Sequence, residues 1–218
     1  MRPAELEEFV RRRTTTATLQ DGTRARLRPI VPDDKGRLVA AFERLSPESR
    51  YRRFMAPIAE LTEEQLIHLT EVDYRDHFAW VALSLDEPGL TAVGVSRYVR
   101  APDEPDVAEA AVTVVDDYHG RGLGRLLLEA LGAVALENGI RWFRGYVLED
   151  NRPMRELLEG MGARMEHDSA GLARMELELP KRASELRASP MYEVLRAVAS
   201  GHGPVFLRPE TLSEARRR

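Results

Sequence analysis

The stretch from residue 109 to residue 128 constrains this chain more than any other. It joins an apolar run, a glycine-rich turn and a helical pattern. Residues 111–115 are rich in β-branched side chains and end at Asp116, which predicts a strand buried on both faces. Leucines recur at helical spacing from Leu123 onward, so we predict a helix that begins close to Gly122.

The turn itself has the composition of an anion site. Gly120, Gly122 and Gly124 stand at alternate positions. Missing Cβ atoms allow backbone N–H groups to face inward and a ligand to come close. The helix that follows brings the positive end of its dipole to the same point, and Arg121 and Arg125 would add charge-assisted contacts.

Two known phosphate loops can be excluded residue by residue. A Walker loop needs Lys and then Ser or Thr after its last glycine, whereas Arg and Leu follow Gly124 here. A dinucleotide fingerprint that begins at Gly120 needs a glycine where Arg125 stands, and one that begins at Gly122 needs a glycine where Leu127 stands. The turn therefore predicts a pyrophosphate cradle of another type. A glycine-rich connection that binds no ligand is the alternative.

At this point the sequence resembles the GNAT superfamily of acyl-CoA-dependent N-acyltransferases. The signature of that family is Gln or Arg, two residues of any type, Gly, any residue, and then Gly or Ala. His119, Gly122 and Gly124 occupy the fixed positions, with His in place of Gln or Arg. Downstream, Asn151 and the apolar residues after it match a second signature, in which an Asn opens a helix and binds the pantetheine or phosphate portion of CoA.

The resemblance covers about residues 23–179 and implies an α+β fold of three layers. A GNAT-type mixed, mostly antiparallel central sheet would be flanked by helices. We expect an N-terminal arm at residues 1–15, one acyltransferase domain at residues 16–180 and a C-terminal extension at residues 181–218. That extension carries an apolar stripe that predicts one amphipathic helix, packed on its own domain or on a homodimer partner: Met191, Val194, Leu195 and Val198.

Turn and capping residues predict several of the remaining elements. The Asp-Gly pair at Asp21 predicts a β-hairpin between residues 16 and 28. Asp33 is suited to cap the helix that follows, and Thr62 with Gln65 forms a capping box for a later helix. Two antiparallel strands are expected on either side of residues 86–89.

The resemblance also implies how acetyl-CoA is held. The main chain of the central strand would pair with the pantetheine amides as though they were another strand. The glycine-rich turn would hold the pyrophosphate. The expected cofactor-binding residues are Val112, Thr113, Val114, Gly120, Arg121, Gly122, Leu123, Gly124, Arg125 and Asn151.

By position, Glu109 matches the general base of the family. An alkyl ammonium must lose its proton before it attacks a thioester, and a carboxylate at the rim of the cleft can take that proton directly or through water. Partial burial would make it a better base. Strict alternation places Glu109 on the face of Ala111 and Thr113, whereas the usual bulge of the family would change its direction. A backbone N–H near Thr113 or Val114 would stabilise the developing oxyanion.

One departure from the family concerns the general acid. Leu158 stands where the family commonly has a tyrosine that protonates the leaving thiolate. Water, Tyr118 and Tyr146 are the candidates that replace it. Because thiols are weakly basic leaving groups, an acid is helpful rather than essential.

A narrower resemblance concerns the acceptor. Residues 24–32, 45–51 and the pair Ala108-Glu109 look like the catalytic domain of bacterial protein lysine acetyltransferases. We therefore expect an acetyl-CoA-dependent N-acetyltransferase that acts on a primary amine, with a protein lysine as the first acceptor. A small-molecule amine acetyltransferase and a non-catalytic acyl-CoA-sensing module are the alternatives.

Composition excludes other classes of protein. The chain has no cysteine, so it has neither a disulfide framework nor a cysteinyl acyl-enzyme. Its histidines show no metal spacing, so we expect no metal. Acidic residues outnumber basic ones between residues 29 and 180, which argues against nucleic-acid binding and mildly favours a cationic acceptor, although a merely solvated acidic surface explains the excess equally well. No signal peptide or membrane span is expected, so we predict a cytoplasmic protein.

Overall fold

The computed structural model describes residues 1–167 and 171–180, and the helix expected after residue 181 lies outside the described residues. In the described part, eight strands form one sheet. Their bounds are β1 (Thr15–Thr18), β2 (Arg24–Pro29), β3 (His77–Ser84), β4 (Ala92–Arg100), β5 (Val107–Val114), β6 (Trp142–Leu148), β7 (Arg164–His167) and β8 (Leu172–Glu178).

Six α-helices accompany the sheet in these residues. They are α1 (Pro3–Arg13), α2 (Lys35–Glu43), α3 (Pro47–Phe54), α4 (Glu63–Thr70), α5 (Leu123–Glu137) and α6 (Arg152–Glu159). Short 3-10 turns at Pro32–Asp34 and Asp116–Tyr118 precede α2 and the glycine-rich turn.

The strand order is β1-β2-β3-β4-β5-β6-β8-β7. Each neighbouring pair is antiparallel except β5 and β6, which run parallel. The fold is therefore the α+β layered arrangement that the sequence predicted, with a mixed and mostly antiparallel sheet. The single parallel pair lies at its centre.

The core is divided between the two faces of the sheet. One face packs on α5, whose leucines bury against the aromatic side chains of Trp80, Tyr98 and Phe143. Ser96 fixes this contact, because its hydroxyl donates to the carbonyl oxygen of Leu127 at 2.9 Å. The opposite face packs on α2 and α4 through a second apolar cluster: Ile30, Leu38, Leu66, Val81 and Leu83.

Most of the turns and helix caps that short sequence motifs predicted are observed. The predicted hairpin is formed by β1 and β2, with Gly22 at φ 88° in its turn. The capping box at α4 is also present, since Thr62 and Gln65 exchange backbone-to-side-chain hydrogen bonds of 2.9 and 3.2 Å. The predicted cap at Asp33 is wrong. Asp33 is exposed, and the buried carboxylate is that of Asp34.

The residues before β1 form helix α1. Its Phe9 ring lies 5.1 Å from the ring of Tyr74, and Arg13 pairs with Glu137 of α5 at 3.1 Å. The helix thus packs on the same face of the sheet as α5.

Strand β5 differs from its prediction in two ways. It begins at Val107, earlier than the apolar run, and residues 111–114 are only half-buried rather than covered on both faces. Its pairing with β4 is also continuous from Ala108 to Val114, with no bulge. The incomplete burial arises because β5 loses its neighbour on one side partway along its length.

No helix among the described residues is long and apolar enough to cross a membrane.

Candidate functional site

The site begins where β5 and β6 separate. These strands pair only from Val107 to Glu109 on β5, opposite Trp142 to Arg144 on β6. At the point of separation a Cβ on Gly145 would lie 3.1 Å from the carbonyl oxygen of Ala110, so glycine permits this close approach. Beyond this point a gap opens between the two strands.

Alternation along β5 identifies the backbone groups that border the gap. The Val107 carbonyl accepts from Ala101, and the Val115 amide donates to Val93, so odd-numbered residues of β5 bond toward β4. Even-numbered residues therefore direct their amides and carbonyls to the gap. Of the three strand residues predicted to bind pantetheine, Val112 and Val114 have this orientation. The backbone of Thr113 faces β4.

The first signature residue reaches into the same gap. The Nε2 atom of His119 lies 2.9 Å from the carbonyl oxygen of Val114, and the backbone amide of His119 donates to Asp116. The imidazole thus contacts one of the backbone acceptors that border the gap.

The glycine-rich turn presents a run of free amides. Within residues 1–167 and 171–180, no acceptor is found for the backbone N–H groups of residues 120–125. Helix α5 begins here with Gly122 as its N-cap, which has no side chain to cap the first turn, and its first intrahelical bond runs from Leu126 to Gly122. Uncapped amides at a helix N-terminus form an anion site. The turn therefore has the free backbone amides on which the predicted pyrophosphate site depends.

Two of the glycines have different structural roles. Gly122 adopts a left-handed conformation with φ 85°, and a Cβ there would lie 3.0 Å from Nε2 of Gln20. Gly124 has an ordinary helical backbone, and a Cβ there would meet Leu157 at 3.6 Å, a normal contact. Only the first of these positions requires glycine for its conformation.

The two arginines of the turn do not direct their side chains to these amides. Arg121 pairs with Asp21 at 3.0 Å, donates to Thr23 and stacks on the ring of Tyr118. Arg125 pairs with Glu129, one helical turn further along α5, at 2.8 Å. Both guanidinium groups are therefore engaged beside the turn, and the groups that remain free in the turn are backbone amides.

Helix α6 follows β6, the strand on the other side of the gap, and borders the site there. Asn151 caps it, with Oδ1 accepting from the Met154 amide at 3.3 Å, as the second signature predicted. Leu158 is 3% exposed and belongs to the core. Of the two candidate acids, Tyr118 bonds to Ser84 and Glu87, and burial raises its pKa, whereas Tyr146 is 53% exposed on β6.

Glu109 lies on the face of β5 that is turned away from α5. It is exposed and sits opposite Val99 of β4, in strict alternation with Ala111 and Thr113. Because β5 has no bulge, the carboxylate faces the same side of the sheet as these two residues. Glu109 is exposed, so it lacks the partial burial that would make it a better base.

Beside Glu109, on the same face, lies a cleft between the sheet and α2, α3 and α4. Its volume is about 550 Å³ including the space open to solvent, and its walls are mostly apolar, with Phe42, Leu45 and Phe54 from the helices and Ala111 and Thr113 from β5. Such a concave, apolar space beside an ionisable group is the usual form of a small-ligand site.

The cleft also contains two arginines. The segment that carries Arg53 was expected on the acceptor side, whereas Arg97 was not predicted from the sequence. Arg53 extends from α3, and Arg97 extends from the middle of β4, where it is 6% exposed. Burial and the proximity of Arg53 lower the pKa of Arg97 to about 9. Burial also lowers the pKa of Arg53, and the charge of Glu109 offsets this only in part. An arginine within the apolar pattern of β4 was the sequence signal that could have revealed Arg97.

The described residues contain no group of three or more His, Asp or Glu side chains that could hold a metal ion.

Comparison with known proteins identifies the family. Residues 24–164 match the model of the acetyltransferase (GNAT) domain. The chain is 37% identical to Acetyltransferase Pat of Mycolicibacterium smegmatis over 155 residues, which is 71% of this chain and 45% of that protein. It is also 37% identical to Acetyltransferase PA5475 of Pseudomonas aeruginosa over 145 residues, 66% of this chain and 77% of that protein.

Solved structures agree with the sequence comparison. The GNAT domain of S. lividans PAT superposes with a TM-score of 0.71 at 33% identity, covering 82% of this chain and all of that domain. A cAMP-binding acyltransferase from Mycobacterium smegmatis gives a TM-score of 0.60 at 29% identity, covering 91% of this chain and 59% of that one. The chain thus spans less than half of the Pat protein it matches. Its family match, its sheet and its glycine-rich turn together show that the chain belongs to the GNAT acetyltransferase family, whose members use acetyl-CoA as cosubstrate.

Proposed function

We propose that this chain is an acetyl-CoA-dependent N-acetyltransferase that acetylates a primary amine, with Glu109 as the general base. The observation that carries the proposal is the two-sided arrangement of β5. Its even-numbered backbone groups border the gap toward β6, and its odd-numbered side chains face the opposite side of the sheet, where Ala111 and Thr113 line the cleft and Glu109 precedes them on the same face. A donor in the gap and an acceptor in the cleft would meet at this strand.

The residues around the gap fit acetyl-CoA. The free amides of residues 120–125 suit its pyrophosphate, and the open edge at Val112 and Val114 suits the amides of its pantetheine arm. Asn151 retains its amide nitrogen as a donor, because its oxygen is used to cap α6. Bound there, the cosubstrate supplies an activated acetyl group as a thioester.

Glu109 would remove the proton of the acceptor ammonium. It is exposed at the rim of the cleft, so proton transfer to the carboxylate can proceed through a water molecule. The amide of Val114 lies on the gap side of β5 and is placed to donate to the thioester oxygen as negative charge develops. Catalysis would otherwise come from holding amine and thioester in line.

On α6, at the position where the family commonly has a tyrosine, this chain has no side chain that could protonate the leaving thiolate. Leu158 is buried in the core and Tyr118 is held by Ser84 and Glu87. Tyr146 is exposed on β6, the strand across the gap, and is the better placed of the two tyrosines. We propose that Tyr146 or water protonates the thiolate.

For the acceptor we propose a protein lysine first, on the basis of the resemblance of residues 24–32 and 45–51 to protein lysine acetyltransferases. A small amine is the second candidate, and the mostly apolar cleft that contains Arg53 and Arg97 has the form of a small-ligand site. Mass spectrometry of lysine peptides and small amines incubated with acetyl-CoA separates the two. The cytoplasmic location and a homodimer remain proposals.

The test of the catalytic role is Glu109→Gln. We expect kcat to fall by about 10²-fold or more, while the Kd for CoA measured by calorimetry stays within twofold. Glu64→Gln, at an exposed position on α4, is the matched control and should leave both constants unchanged. Unaltered turnover in Glu109→Gln removes Glu109 from this role. CoA binding without turnover on any amine would instead establish a non-catalytic acyl-CoA sensor.

A further inference from the structure

The guanidinium groups of Arg53 and Arg97 lack an anionic partner. In the parts of the chain that the structure describes, neither lies within 4 Å of a carboxylate oxygen, the limit for an ion pair. Arg97 makes two contacts, to the carbonyl oxygen of Leu69 at 2.9 Å and to Nε2 of His77 at 3.0 Å. Both partners are neutral, since burial and the charge of Arg97 lower the pKa of His77 to about 4.

Several other shielded arginines of this protein are paired with carboxylates. The distances are 2.6–2.9 Å in the pairs Arg28–Asp34, Arg44–Glu87, Arg100–Asp76 and Arg144–Glu104. A buried cation without a counter-ion is costly, and proteins rarely keep one unless something else pairs with it. Arg97 is 6% exposed and has no such partner among the described residues, and it shares the cleft beside Glu109 with Arg53.

We infer that the acceptor carries a carboxylate close to its amine, and that Arg53 and Arg97 bind this carboxylate in the cleft. The inference rests on the proposed function, because it assigns the acceptor to this cleft. Arginine is suited to the task, since its planar fork matches a carboxylate.

The register of the sheet places Arg97 next to Glu109, the proposed base. Arg97 lies opposite Ala111, and Glu109 lies opposite Val99, which is the next pair along the same face. Same-face neighbours on a strand are about 7 Å apart, so a small amino compound can reach both groups. The cations also disfavour the protonated form of an amine held near them, which assists its loss of a proton to Glu109.

Two kinds of acceptor carry a carboxylate close to an amine. A free amino acid carries its carboxylate next to its amine, and a peptide lysine can have an acidic neighbour. The experiment therefore has two arms. The first compares amino acids with their α-carboxamides, and the second compares peptides in which Glu or Gln adjoins the acceptor lysine. Release of the CoA thiol reports kcat/KM for each acceptor.

We expect at least a tenfold preference for the carboxylate form in one arm, and that arm identifies the source. Arg53→Gln should reduce kcat/KM about tenfold more for the carboxylate acceptor than for the amide acceptor. Arg52→Gln is the matched control, because it removes a neighbouring guanidinium that pairs with Glu48 and does not line the cleft. Arg97→Lys keeps the positive charge but loses the planar guanidinium group. Its melting temperature is measured first to establish that the variant folds.

Equal use of acid and amide acceptors in both arms overturns the inference and leaves the proposed function intact. Absence of turnover on every amine overturns the proposed function instead. In that case calorimetry decides the inference, by titrating amino acids and their carboxamides into the CoA-bound protein. Binding of the acids alone, lost in Arg53→Gln, supports it, and equal or absent binding of the two forms contradicts it.

Discussion

The imidazole of His119 contacts the carbonyl oxygen of Val114 across the gap, at 2.9 Å. This relationship couples the signature turn to the open edge of β5. A ligand amide that pairs with the carbonyl oxygen of Val114 competes with the imidazole for it. Ligand binding therefore costs the protein the hydrogen bond of His119.

Removing that hydrogen bond should tighten CoA binding. A typical protein hydrogen bond contributes about 1 kcal/mol, so His119→Ala is expected to lower the Kd for CoA about two- to fivefold. Calorimetric titration measures the change. His167→Ala, which removes an exposed histidine paired with Glu149, is the control and should leave the Kd unaltered. A Kd raised in His119→Ala would show that the imidazole contacts CoA directly.

The glycine-rich turn offers a matched pair of substitutions. Gly122→Ala forces a side chain into the left-handed region against Gln20, so we expect a loss of about 1–2 kcal/mol in the free energy of unfolding and weaker CoA binding. Gly124→Ala has room and an ordinary helical backbone, and should stabilise α5 by up to about 1 kcal/mol. Urea unfolding and CoA titration of both variants test this contrast. Similar effects at the two sites would contradict it.

The buried carboxylate of Asp34 should be essential for stability. It accepts two hydrogen bonds from Arg28, at 2.6 and 2.7 Å, and one from the Val31 amide, and its side chain is 0% exposed. Asp34→Asn leaves Arg28 without a counter-ion, so we expect a loss of about 3 kcal/mol or more in the free energy of unfolding.

The adjacent residue supplies the control for that experiment. Asp33 is exposed, so Asp33→Asn should change the free energy of unfolding by less than about 0.5 kcal/mol. Urea denaturation of the two variants under the same conditions makes the comparison. If both lose little, the Arg28–Asp34 pair contributes less than its burial implies.

His77 should contribute to the pH dependence of stability. Burial, together with the charge of Arg97, lowers its pKa from 6.5 to about 4. Between these values the unfolded chain binds a proton that the folded protein does not bind, so the free energy of unfolding falls as pH drops from about 6.5 to about 4. Because His77 is only partly buried, we expect its contribution to this fall to be about 1–2 kcal/mol.

The variant His77→Gln isolates that contribution. Its amide oxygen can still accept from Arg97 but does not titrate, so the fall in unfolding free energy between pH 6.5 and 4 should be smaller than in the wild type. The control is His167→Gln, at an exposed position, and it should follow the wild-type profile. Parallel profiles for wild type and His77→Gln would contradict the assignment.

Features encoded by neighbouring residues were predictable from sequence. The β1–β2 turn at Gly22, the capping box of Thr62 and Gln65, helix α5 and strand β6 each depend on a few consecutive residues. The glycine-rich turn belongs to this group, because its conformation requires only the left-handed glycines and the helix that follows. For that reason the anion site was predicted as a backbone feature.

Features that depend on distant residues were not predictable. The side chain of Arg121 was expected at the anion site, but it is held by Asp21 and Thr23 from the β1–β2 hairpin. The strand was expected to be covered on both faces, because its composition does not reveal that β6 diverges after Arg144. Both outcomes are set by pairings across the fold.

Charge was the least reliable guide. The acidic surplus mildly favoured a cationic acceptor, whereas the cleft beside Glu109 is lined by Arg53 and Arg97. A net charge sums over the whole surface, but a ligand in a cleft interacts most strongly with the few groups that water does not screen. These two arginines come from α3 and β4, far apart in sequence, so their meeting in one cleft became apparent only in the folded structure.

The separation of β5 from β6 also has an evolutionary consequence. In the proposed function, donor-side contacts in the gap would come from peptide groups, which every residue type carries, while acceptor-side contacts would come from the odd-numbered side chains of the same strand. Mutation can therefore exchange the side chains at Ala111 or Thr113 without altering the groups that face the gap. A strand built in this way allows descendants to acquire new acceptors while keeping one donor.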